Sequence, residues 1–65
     1  MFILEEDTVY VIRFLNGEYH VGKDKTTSFW RTAKFFDTEK WAKEQAKKIP
    51  HRTKVLKIRM FLREI

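Results

Sequence analysis

Asn16-Gly17 constrains this chain more than any other dipeptide in it, because it separates two runs with strand character, Thr8–Leu15 and Glu18–Val21. Asn-Gly supplies the positive φ values of a type I′ turn, so the sequence predicts a two-residue β-hairpin. Such a turn also sets register. With Leu15 opposite Glu18, Phe14 falls opposite Tyr19, Arg13 opposite His20 and Ile12 opposite Val21. Opposite residues share a face, which puts Tyr10, Ile12, Phe14, Tyr19 and Val21 on an expected core face. Val11, Arg13, Leu15, Glu18 and His20 fall on the other.

Downstream, Lys23–Ser28 is polar and reads as a loop, and the aromatic-rich Phe29–Phe36 reads as a short third strand of open register. A helix follows. Asp37 is placed to cap it, Glu39 and the pair Lys47 and Lys48 match its dipole at the two ends, and Phe36 and Trp41 are spaced as a hydrophobic staple. Pro50 stops it. At about 100° per residue, Trp41, Ala42, Gln45, Ala46 and Ile49 form its apolar stripe. The last element is a strand over Thr53–Leu62. Its residues Leu56, Ile58, Met60 and Leu62 are expected to face the helix, leaving Val55, Lys57, Arg59, Phe61 and Arg63 on an outer, basic face. The fold class is α+β: one domain over residues 1–65, with an antiparallel sheet of three to four strands packed on one helix.

A chain of 65 residues buries only about 60% of the surface its unfolded form exposes. With no cysteine there is no disulfide framework or thiolate metal site to compensate. Hydrophobic residues make up 43% of the chain, enough for a packed core, and self-association is a further source of stability. No apolar run approaches the roughly 20 residues of a membrane span. The start, with Glu5, Glu6 and Asp7 directly after three apolar residues, does not resemble a signal peptide, so a cytoplasmic location without membrane contact is expected.

The inventory for chemistry is short. Ser28 lacks a nucleophile setting, His20 and His51 lie far apart in sequence, no metal-ligand spacing occurs, and Lys23-Asp24-Lys25 has only Gly22 before it where a phosphate loop needs several glycines. No enzyme activity, cofactor or metal is expected. Charge carries more weight. The net charge is +5, and between Lys47 and Arg63 there are seven cations and no acid. A field of one sign attracts anionic partners. Two readings follow. In one, a protein partner is engaged by Trp30 and Arg31 at a loop exit together with the basic last strand. In the other, nucleic acid is held on an outer face bearing Arg13, Lys57, Arg59, Phe61 and Arg63.

The arrangement of Tyr10, Ile12, Asn16, Gly17, Thr26, Thr27, Ala33, Lys34, Phe36, Thr38, Ala42, Ala46 and the Lys54–Ile58 run resembles small accessory proteins of bacteriophages and prophages of Gram-positive bacteria. The resemblance implies a protein that acts inside a bacterial host by occupying a surface of a host protein or defence complex. No site residue carries over from it.

Overall fold

The structure is a computed structural model that describes the backbone of residues 4–63 and the side chains of residues 7–60. Four strands, β1 (Leu4–Phe14), β2 (Tyr19–Gly22), β3 (Lys25–Thr27) and β4 (Thr53–Arg63), form one antiparallel sheet in the order β3-β2-β1-β4. One α-helix among the described residues, α1 (Glu39–Lys47), packs on one face. This is the expected α+β class. The long pair β1 and β4 gives the molecule its extended shape, 48 × 23 × 17 Å, since eleven-residue strands span about 36 Å and the nine-residue helix only about 13 Å.

The hairpin forms, but around a three-residue loop. The Phe14 amide donates to the Glu18 carbonyl at 2.8 Å and the Gly17 amide to the Phe14 carbonyl at 3.0 Å. Arg13 pairs with Tyr19, one residue away from the expected register. A type I′ turn needs positive φ at both central residues. Here Gly17 has φ 89° and Asn16 does not share it, which is the pattern of a type I turn closed by a glycine bulge. The Asn16 side chain favours it, because its Oδ1 accepts from the Glu18 amide at 2.9 Å. A one-residue slip reverses every side chain of a strand. His20 therefore joins Ile12 and Phe14 on the helix side, while Tyr19 joins Arg13 on the other, with the guanidinium 5.9 Å from the Tyr19 ring centroid.

The same correction applies to β4. Its ladder with β1 pairs Ile12 with Val55, Tyr10 with Lys57, Val11 with Leu56 and Val9 with Ile58. Tyr10 and Val55 pack with Ile12 in the core under the helix, so Val55, Lys57 and Arg59 share the helix side. Leu56, Ile58 and Met60 face away from it, together with Val9 and Val11. The expected assignment of the two β4 faces is thus inverted. Leu62, Phe61 and Arg63 lie outside the residues whose side chains are described.

Between β2 and α1 the chain departs from the expected loop and strand. Lys25–Thr27 is a strand, reached through a turn in which Asp24 takes φ 57°, a conformation that Asp tolerates. Phe29–Phe36 is not a strand. It contains a 3₁₀ turn at Trp30–Thr32, closed by the Thr32 amide and hydroxyl, both donating to the Phe29 carbonyl, and only Phe36 joins the sheet, through a two-bond bridge to Tyr10. Lys34 donates to the His20 carbonyl at 3.0 Å. The segment is thereby wedged between β1 and β2, where the two strands part.

Phe36, fully buried, is the centre of the core with Ile12 and Ala42. Burial of each large side chain contributes roughly 1.5–3 kcal/mol. Thr38 caps the helix, its hydroxyl accepting from the Trp41 amide at 3.1 Å, one residue after the expected Asp37. The Phe36–Trp41 contact survives that shift as an edge-on pair with centroids 5.0 Å apart. Ala42 is buried and Ala46 and Ile49 pack half-buried beside the core, as expected of the stripe, whereas Trp41 stays 41% exposed.

Candidate functional site

The expected contact set does not form one surface. Arg13 lies on the side of the sheet away from α1, and Lys57 and Arg59 on the helix side. Trp30 and Arg31 sit on the 3₁₀ turn, where the Arg31 guanidinium stands 5.3 Å from the Trp30 ring and Trp30 stacks on Phe35 with centroids 6.4 Å apart.

The structure gathers other cations instead. A groove of ≈ 690 Å³ opens between the β2–β3 turn and the C-terminal end of α1. Lys23 and Lys25 stand on the turn side, Lys48 and His51 on the helix side, and His20 and Lys34 between them; Phe14, Ile49 and Pro50 supply apolar surface. Asp24 is the one carboxylate residue of the lining. The nearby Glu18 carboxylate is occupied, accepting from Asn16 at 3.1 Å and from the Thr26 hydroxyl at 3.0 Å.

Each element positions its part for a local reason. The glycine-bulge turn moves His20 to the helix side, where its ring stacks on Phe36 with centroids 6.4 Å apart. The backbone bond from Lys34 to His20 fixes Lys34 beside it, and the Lys34 ammonium lies 5.5 Å from the Phe36 centroid and 5.8 Å from that of Trp41. A helix C-terminus carries partial negative charge, which would oppose an anion. That opposition is reduced because the Lys48 and Ile49 amides donate to the Gln45 and Ala46 carbonyls, and because the Lys48 side chain lines the groove. Partial burial, and then the positive charge of Lys34, lower the His20 pKa below the ordinary imidazole value. His20 is therefore a mostly neutral ring at neutral pH, and the lysines carry the charge.

Of these lysines only Lys48 belongs to the basic run from Lys47 to Arg63; Lys23, Lys25 and Lys34 lie outside it, so no single charge run marks the set. The signal that could have found them is the alternative turn geometry open to Asn16-Gly17, which brings His20 under the helix. Among the described residues no group of three or more His, Cys, Asp or Glu could hold a metal ion, and no helix is long and apolar enough to cross a membrane. No family model matches the chain, and no curated protein or solved structure is significantly similar to it.

Proposed function

We propose that this chain is a non-enzymatic binding module that takes an acidic segment of a partner protein into the groove between the β2–β3 turn and the end of α1. The observation that carries this reading is the composition of the groove: Lys23, Lys25, Lys34 and Lys48 around an apolar patch of Phe14, Ile49 and Pro50. Lysines attract carboxylates over a distance and the patch accepts the apolar side chains between them. His20 has Phe36 and Lys34 as its neighbours, and among the described residues no carboxylate is hydrogen-bonded to it to orient it as a general base would require, which favours binding over catalysis.

A nucleic-acid strand would use the same charges but asks for free ring faces on which bases stack. In this groove the rings engage each other: His20 stacks on Phe36, and Phe14 meets His51 edge-on at 6.3 Å. That arrangement favours a peptide. The resemblance to phage and prophage accessory proteins would make the partner a host protein or defence complex in a bacterial cytoplasm.

The test is a fluorescence titration of the protein with a glutamate- and leucine-containing peptide and with an oligothymidylate of equal charge. Peptide binding that is weakened about tenfold or more by Lys25→Glu/Lys48→Glu supports the reading. Tighter binding of the oligothymidylate, with log affinity falling linearly against log salt, would replace it by nucleic-acid binding.

A further inference from the structure

Two imidazoles share the groove with its lysines and its one carboxylate residue. Lysine and aspartate side chains ordinarily hold their charge between about pH 5.5 and 7.5, whereas an imidazole changes charge within that interval. The two imidazoles are placed differently. His51 is exposed and meets Phe14 edge-on. His20 is half-buried, with its ring stacked on the buried Phe36 and its backbone carbonyl accepting from the Lys34 amide at 3.0 Å. The groups that share the groove with it are mostly cationic: Lys34 beside it, Lys48 and His51 at the end of α1, and Lys23 and Lys25 with Asp24 on the turn. Glu18, two residues before it, has its carboxylate engaged by Asn16 and by Thr26, the cross-strand partner of His20. On the helix side β1 contributes the apolar Ile12 and Phe14.

The free groove therefore withholds a proton from His20, since burial and then the Lys34 charge penalise a second positive charge there. An acidic segment lying among the lysines opposes that penalty, because a carboxylate within about 4–6 Å favours the protonated ring. We infer that occupation of the groove is coupled to protonation of His20, so that an acidic segment is held more tightly as pH falls and its arrival draws a proton onto the imidazole. This coupling rests on the peptide-binding reading of the groove and adds the regulation of the same site. A base that gains proton affinity in the complex takes up a proton on binding, so affinity rises as pH falls through the imidazole range. Linkage makes the effect reciprocal: the bound segment strengthens proton binding by the same factor by which the proton strengthens the segment's binding.

Calorimetric titration with the glutamate- and leucine-containing peptide, at constant ionic strength from pH 7.5 down to 5.5, tests the coupling. Glutamate side chains ordinarily stay ionised over that range, so the peptide keeps its charge. The wild type is expected to bind about tenfold more tightly at the lower pH. His20→Gln should remove most of that dependence, and His51→Gln should retain it. In the wild type itself, the midpoint of the His20 ring-proton titration, followed by nuclear magnetic resonance, should rise when the peptide is saturating, which tests the coupling without relying on a variant. Peptide binding that is independent of pH, a His20 midpoint that the peptide leaves in place, or a dependence lost in His51→Gln and kept in His20→Gln overturns the coupling and leaves the peptide-binding reading standing. A peptide that fails to bind at either pH overturns both.

Discussion

The His20 imidazole stacks on the fully buried Phe36 ring, with centroids 6.4 Å apart and the planes 15° from parallel. It also has the Lys34 cation beside it, so both its surroundings disfavour a second positive charge. The pH dependence of stability follows in sign. A base whose pKa is lowered on folding binds more protons unfolded than folded, so stability rises with pH across the interval between the folded value and the ordinary one near 6.5. Urea unfolding midpoints should therefore fall as pH is lowered from 7.5 to below 6, and His20→Gln should remove most of that slope. A slope unchanged by the substitution would mean that other groups cause it.

Gly17 adopts φ 89°, and a Cβ built on it would stand 3.4 Å from an Arg13 guanidinium nitrogen. The steric space is ordinary and the backbone is not, so the cost of Gly17→Ala comes from the left-handed conformation. It should be about 1 kcal/mol, read as a lower midpoint in denaturant unfolding. Asn16→Ala removes the bond to the Glu18 amide and should cost less than Gly17→Ala; the reverse order would contradict the glycine-bulge turn.

The hairpin and helix were legible in the sequence because each has local chemistry: Asn16-Gly17 for one, and the spacing of Ala42, Ala46 and Ile49 before Pro50 for the other. Register was not. Asn-Gly serves a two-residue type I′ turn and a three-residue loop with a glycine bulge alike, and the choice depends on the Asn16 side-chain bond and on Phe36 waiting under the helix for His20. β4 misleads for a related reason. Both of its alternating sets contain apolar residues, and the more apolar one, Leu56, Ile58 and Met60, faces away from a helix whose small stripe needs only Ile12, Phe36 and Val55 opposite it. The candidate groove was illegible because its lysines come from three separate elements.

The inverted faces of β4 make a direct prediction for folding. Val55→Asp places a carboxylate in the core beside Ile12, without a partner, and should destabilise by several kcal/mol or prevent folding. Lys57→Asp, on the same side but exposed, should change stability by less than about 1 kcal/mol. Equal effects of the two in thermal unfolding would contradict the ladder.

Thr38 rather than Asp37 caps α1, and Thr38→Ala should cost about 1 kcal/mol through loss of the bond to the Trp41 amide. Asp37→Ala should cost less. A larger loss from Asp37→Ala in denaturant unfolding would move the cap back by one residue.

The central claim is that the groove between the β2–β3 turn and the end of α1 receives an acidic peptide. Amide chemical-shift mapping during titration with the glutamate- and leucine-containing peptide tests it most directly, because it reports where contact occurs. The account predicts that the largest changes cluster at Lys23, Lys25, Lys34, Lys48 and His51, and that Leu56, Ile58 and Met60 on the opposite side of the sheet are little affected. Changes centred on Trp30 and Arg31, or on the Leu56–Met60 face, with the groove amides unmoved, would contradict it.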